Sequence, residues 1–331
     1  MDALAQRSVH VRSDGVVVNG APPGRSIAPE ALARGQARKI HAALSDALQS
    51  AASCSLQTCF ADSERDRARL ASCSGPVSGR WLTEFPASWW PQVKDDSFIM
   101  AIKFRIGMPI YAAGARCAHA KAKDATDVCG KDMDVFGDHA VSCNIGPYWS
   151  ARHSSLNGIL AQAGRDAGYA ALLEQVVPEL GLRKRRRDGR VVLEEAVLDV
   201  ELFGHPAAPD RLLDGTVRHP AASHIIRVAA TTPGAAAEEG ARCKEERYRP
   251  TAGKSVLPCA VETWGYVDSR LAGLLDELAV LASQRQRDRG VLPTRWGARW
   301  RTLVSVKVAM AVARALLDAA PPAARPCGPL R

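Results

Sequence analysis

The spacing of apolar residues changes character several times along the chain. Residues 1–30 carry no sustained period and read as poorly ordered. Between 31 and 72, Leu32, Ile40, Leu44 and Leu48, and later Arg65 to Leu70, keep helical spacing. Phe98, Ile102 and Ile106 form the apolar stripe of a helix from about Ser97 to Gly107, with Asp95-Asp96 as its cap and Pro109 as its stop. Leu156, Ile159, Leu160, Ala163 and Ala167 share one face and predict a helix over 150–172. The register then shortens. Runs at 191–193, 197–203 and 212–217 read as strands, introduced by the turn signal Asp188-Gly189. A helix is expected over about 233–248 and a strand over 256–263, then two helices over about 267–286 and 296–318. The first of these carries Leu271, Leu274, Leu275, Leu278 and Leu281, a core stripe rather than a zipper. The Pro- and Ala-rich tail beyond Asp318 reads as frayed. This order of elements predicts a mixed α/β fold, a small mixed sheet flanked by helices.

Composition narrows the chemistry. The net charge of +9 over 331 residues favours polyanionic partners, DNA or RNA, without bearing on fold. No run of 18 apolar residues occurs, so no membrane partner is expected. The first residues lack the apolar stretch of a signal peptide, and the chain is read as intracellular, where thiols stay reduced. In that setting nine cysteines, an odd count, point to metal before disulfides.

Residues 111–149 are low in apolar period and hold Cys117, Cys129, His139 and Cys143. Thiolates and an imidazole suit tetrahedral zinc, and four protein ligands leave no open position for catalysis. His119, two residues from Cys117, competes as a ligand.

A second group is Asp199, Asp214 and Lys244. Carboxylates on neighbouring strands can share one hard divalent cation, which polarises a phosphodiester and acidifies an attacking water. A lysine beside them adds positive charge for the transition state. Pro209-Asp210 is a competing Pro-Asp pair, but it reads as loop, whereas Asp199 sits in a strand-like run.

The stretch Phe98 to Ile110, the block Gly137-Asp138-His139-Ala140-Val141-Ser142-Cys143, and Arg152-His153 with Leu156 resemble the region downstream of reverse transcriptase in LINE-type (non-LTR) retroelements. Leu213-Asp214-Gly215-Thr216-Val217-Arg218-His219-Pro220 and Lys244 to Tyr248 resemble that family's restriction-like endonuclease, and the likeness covers roughly residues 75–265. The resemblance implies a PD-(D/E)XK nuclease fold, a structural Zn2+ in a knuckle, a catalytic Mg2+ or Mn2+, and nicking of target DNA to prime reverse transcription in the nucleus. Asp199 and Asp214 then match the motif aspartates, Lys244 the catalytic lysine, Tyr248 the tyrosine that follows it, and Glu174 an early helix glutamate. Arg152, His153 and Arg247 would contact DNA or template RNA, with no small-molecule substrate. On this reading 31–110 is a thumb-like helical linker, 111–149 the knuckle, 150–320 the nuclease domain and 321–331 a disordered tail. The chain departs from the pattern at three positions. Leu198 stands where the proline is expected, Gly215 weakens a strand interior, and Arg247 replaces a lysine. A Tyr-x-Asp-Asp polymerase signature is missing.

The run Arg183, Lys184, Arg185, Arg186 and Arg187 reads either as a phosphate-contacting or nuclear-import segment or as a solvated loop. Trp81, Trp89 and Trp90 read as base-stacking or, more commonly, packing residues. Two functions follow from the sequence: a metal-dependent DNA endonuclease, or a catalytically inactive nucleic-acid-binding remnant with the same fold.

Overall fold

The computed structural model describes residues 9–12, 15–18, 49–82, 93–121, 124–185, 188–248, 255–286 and 290–320. The chain divides into two compact units, Met1–Arg67 and Ala68–Arg331. In the first, strands β1 (Val9–Arg12) and β2 (Gly15–Val18) form an antiparallel hairpin inside the stretch expected to lack order. Residues 49–59 are helical, as the periodicity predicts, while Leu32, Ile40, Leu44 and Leu48 lie outside the described residues.

Helix α1 spans Glu64–Cys73, and α2 spans Asp95–Ile106. Asp95 and Asp96 occupy the first turn of α2 rather than its cap position, which is Lys94. The helix stops at Gly107, in the left-handed region, before Pro109 is reached. Two short strands, β3 (Ala120–Lys121) and β4 (Asp124–Val128), and the five-residue α3 (Asp138–Ser142) make up the cysteine-bearing segment. Helix α4 (Tyr148–Ala167) follows, with Leu156, Ile159, Leu160, Ala163 and Ala167 buried as the pattern predicts.

The second unit is mixed α/β, built on a four-stranded sheet in the order β5 (Ala170–Arg185), β6 (Val191–Phe203), β7 (Arg211–Arg218) and β8 (Val256–Glu262). The first two pairings are antiparallel and β7–β8 is parallel. A parallel pair needs a crossover, and α6 (Ala235–Arg247) supplies it after the short α5 (Ile226–Ala229). Strand β6 alternates as a half-covered strand should, with Ala196, Leu198, Val200 and Leu202 buried. Strands β7 and β8 are buried along most of their length, with α4 and α6 packed on β7 and α6 and α7 (Ser269–Arg285) packed on β8. The long α8 (Pro293–Ala319) lies against α2, α4 and α7. Its indoles Trp296 and Trp300 both donate to Asp166 Oδ2 of α4, at 2.8 and 3.1 Å. Among the described residues no helix is long and apolar enough to cross a membrane.

Two expectations are corrected. The helix predicted over 150–172 ends at Ala167, where Gly168 takes a left-handed conformation, and the chain turns into β5. Glu174 is therefore an exposed strand residue with φ +54°, not a helix glutamate. Arg183, Lys184 and Arg185 are not loop residues either; they close β5, paired with Leu193, Val192 and Val191 of β6. Arg186 and Arg187 lie outside the described residues, as do Trp89 and Trp90. Trp81 is buried, edge-on to Phe98 with ring centroids 5.6 Å apart, and is a packing residue.

Helix α4 approaches the sheet closely because it offers hydrogen atoms where side chains would stand. A Cβ on Gly164 would lie 2.4 Å from Cδ2 of the buried Leu202. Gly158 on the same helix has nothing within 4 Å of that position. Gly164→Ala is expected to destabilise the protein by about 1–3 kcal/mol through overpacking. Gly158→Ala should be neutral or stabilise by up to about 1 kcal/mol through helix propensity. Urea unfolding of both variants separates the two effects, and equal midpoints would refute the tight contact.

Candidate metal centres

The cysteine-bearing segment folds back on itself through its backbone. Cys117 N donates to Lys131 O at 2.9 Å, Gly130 N to Cys117 O at 3.0 Å, and Cys129 N to His119 O at 2.7 Å. This ladder sets Cys117 beside Cys129. The Asp134 carboxylate accepts the backbone N–H groups of Phe136, Asp138 and His139 at 3.0, 3.0 and 2.7 Å, and so starts α3 with His139 on its first turn. Cys143 caps the other end of that helix. One ligand atom from each of Cys117, Cys129, His139 and Cys143 lies within 4.8 Å of all the others. The closest pairs are Cys129 Sγ to His139 Nε2 at 3.4 Å and Cys117 Sγ to Cys143 Sγ at 4.0 Å. Burial pushes the Cys117 thiol up to about 12 and raises Cys143, while burial lowers His139 and keeps its imidazole neutral. Three soft donors and a neutral imidazole, packed this tightly, can hold a metal ion.

The competing ligand His119 is settled by its surroundings. It is fully buried, its Nε2 lies 2.8 Å from Ala315 O, and its ring stacks on Tyr148 at 3.9 Å between centroids. It belongs to the contact with α8 and not to the cluster.

The second centre forms where β6 and β7 part. Their ladder runs from Leu202↔Arg211 to Val200↔Leu213, and continuing it one step would set Asp199 opposite Asp214. Instead the Asp199 carboxylate enters the gap and accepts the Gly215 N–H at 2.7 Å through Oδ2. Lys244, from α6, reaches Asp214 Oδ1 at 2.5 Å. His153, from α4, places Nε2 2.9 Å from Asp199 Oδ2. Ligand atoms of His153, Asp199 and Asp214 all lie within 4.8 Å of one another. Asp214 is buried, and its Oδ2 finds no hydrogen-bond donor among the described residues. An acceptor left bare in the interior is what a cation site requires, so the residues fit a divalent ion.

The electrostatics agree. Burial raises Asp214, to about 6, and its close contact with the Asp199 carboxyl group, which favours a proton on Asp214, raises it further against the pull of Lys244. Burial, the largest single influence, works against ionisation of Asp199, but the hydrogen bonds with His153 and Asp214 and the positive charge of Lys244 together leave it below its ordinary value. The bond to Asp199 lifts His153 above its own. Burial and the facing Asp214 charge hold Tyr248 protonated well above the ordinary tyrosine range.

Asp199, Asp214, Lys244 and Tyr248 thus converge, whereas Glu174 stands outside the ligand group on the exposed face of β5. Arg152 and His153 do not sit on an open surface as expected. Arg152 is buried beside Cys143, with Nε and Nη1 lacking hydrogen-bond partners among the described residues, and burial lowers its pKa to about 10. His153 belongs to the carboxylate centre. Arg247 is exposed, with its guanidinium 5.9 Å from the Tyr248 ring centre. Asp210, of the competing Pro-Asp pair, is an exposed residue that accepts Gly204 N–H at 3.0 Å. Leu198, in the expected proline position, is fully buried against Val177 and Leu212. Sequence reasoning missed Asn157, which lies one turn from His153 and 3.2 Å from its Nδ1; the i, i+4 spacing alone could have revealed it. It also missed the tie between the centres' supports. His219 Nε2 lies 3.3 Å from Asp138 Oδ1, and its Nδ1 lies 2.8 Å from Thr263 Oγ1.

The shifts at Asp214 and His153 both retain protons where exposed groups would have lost them. A divalent cation must displace those protons, so its affinity should climb with pH through about 6, by up to about tenfold per pH unit for each proton released. Mn2+ titrations from about pH 5 to about pH 8 test this, and an affinity independent of pH would contradict it. No family model matches the chain, and no curated protein matches it in sequence.

Proposed function

We propose that the unit Ala68–Arg331 is a metal-dependent DNA endonuclease of the restriction-like kind, carried by a non-LTR retroelement protein, with Zn2+ in the Cys/His centre and Mg2+ or Mn2+ at the carboxylates. The observation that carries this reading is the convergence of Asp199, Asp214 and Lys244 around the bare, buried Asp214 Oδ2. The two sequence blocks most specific to that family also meet in space, through the pair His219–Asp138.

Bound at the carboxylates, a divalent ion supplies Lewis acidity to a phosphodiester and lowers the pKa of a water. Asp199 and Asp214 hold and orient it. Asp199 is itself fixed by the Gly215 N–H. Lys244 presents its ammonium on the same side and can pass from Asp214 to a phosphate oxygen as negative charge develops there. Tyr248, buried beside Asp214, keeps its phenol protonated at every physiological pH. The Cys/His centre, closed by four protein ligands, has a structural role. Arg152 supports it with positive charge beside Cys143. Exposed Arg247 is the residue of this group that would meet the phosphate backbone.

Two experiments test the reading. Purified protein should nick supercoiled plasmid with Mg2+ or Mn2+ and not with EDTA, and Asp214→Ala should reduce the rate at least about a hundredfold. No nicking by folded, zinc-loaded protein would move the assignment to a nucleic-acid-binding remnant. Metal analysis should find one zinc per chain, lost in Cys143→Ser together with a lowered melting temperature; a Cys143→Ser protein that keeps its zinc would remove the knuckle.

A further inference from the structure

His153 is held on three sides. Its Nε2 faces Asp199 Oδ2 at 2.9 Å, and its Nδ1 lies 3.2 Å from the amide nitrogen of Asn157. The Trp149 indole stacks flat on the ring, with centroids 5.7 Å apart and planes 8° from parallel. Both His153 and Asn157 project from α4, four residues apart, and so lie one turn from each other on the same face of the helix. Asn157 is buried, and its Oδ1 finds no hydrogen-bond donor among the described residues. That orphan oxygen carries information. With the amide nitrogen facing Nδ1, that nitrogen is an acceptor and the ring proton sits on Nε2, towards Asp199. A half turn of the amide exchanges oxygen for nitrogen with no change of shape. Oδ1 then accepts a proton from Nδ1–H, its missing partner is found, and the Nε2 lone pair points at the carboxylates. The exchange leaves the charge of the ring unchanged; in the neutral imidazole the single N–H moves from Nε2 to Nδ1. An imidazole whose second nitrogen donates to an oxygen is the usual state of a histidine that ligates a metal.

We infer that His153 is the third protein ligand of the cation held by Asp199 and Asp214, and that its imidazole makes this centre select Mn2+, or a similar first-row ion, over Mg2+. The inference rests on the proposed reading of the carboxylates as a metal site. The selectivity follows from ligand type. Mg2+ favours oxygen and parts reluctantly with its waters, whereas an imidazole nitrogen suits first-row transition ions. The Nε2 atom lies within the same 4.8 Å group as the carboxylate oxygens, so the ion need recruit no distant residue.

The test uses the full-length, zinc-loaded protein titrated with Mn2+ or Mg2+ and examined by pulsed EPR. The expected result is Mn2+ binding at least about tenfold tighter than Mg2+, with nitrogen modulation from one coordinated imidazole. In His153→Gln the nitrogen signal should vanish and Mn2+ affinity fall about tenfold or more, while Mg2+ affinity changes little. Asp214→Asn should abolish binding of both ions. If Mn2+ binds in an Asp214-dependent manner without nitrogen modulation in the wild type, His153 is not a ligand, although the carboxylate site stands. If Asp214→Asn leaves all Mn2+ binding intact, the carboxylate reading fails and the inference with it.

Discussion

Everything in the second unit depends on how near α4 comes to the sheet. Close-packed interiors tolerate no intruding methyl group, and here the helix and strands meet where neither side has one to spare. Gly164 admits Leu202, and Gly215 admits Asn157, whose Oδ1 would lie 2.2 Å from a Cβ at that position. Gly215 thus has two duties. Its bare Cα lets the helix in, and its N–H anchors Asp199. A residue that weakens a strand by propensity is kept by packing, and the glycine in the strand interior has a structural reason.

The same proximity creates an electrostatic problem that the fold only partly solves. Asp214 is 1% exposed, and a buried carboxylate loses several kcal/mol of hydration. Lys244 compensates one of its oxygens, and the other remains bare. His153 compensates Asp199. Two carboxylates, one of them with an uncompensated oxygen, crowd negative charge into a poorly hydrated place. Without an ion, Asp214 relieves it by holding a proton to about pH 6. The stability linked to that proton is present in acid and is lost as pH rises through the shifted value, because the folded state binds more protons than the unfolded one in that window.

How much of this was legible in the sequence varies by element. Helices α2, α4, α6, α7 and α8 and strands β6, β7 and β8 follow from apolar spacing, because each buries one face or both. The cluster of Cys117, Cys129, His139 and Cys143, which could hold a metal ion, follows from donor chemistry, and Asp199, Asp214 and Lys244 from their strand-like and helical settings. Strand β5 did not. Leu172-Leu173 and Val176-Val177 continue the apolar density of α4, and the strand is specified by pairing with β6 rather than by its own period. Glu174 and the basic run were misplaced for that reason. Arg152 and His153 were read as surface groups because adjacent polar residues on a helix look alike in one dimension. Which way each points is set by the rotation of α4 about its axis, a tertiary quantity.

That rotation places neighbours in the chain at different centres. Arg152 faces Cys143, and His153 faces Asp199. A single peptide unit therefore separates the charge that steadies the thiolates from the imidazole that meets the carboxylates. Any displacement of α4 would therefore change the surroundings of both clusters at once, because one turn of one helix serves them both.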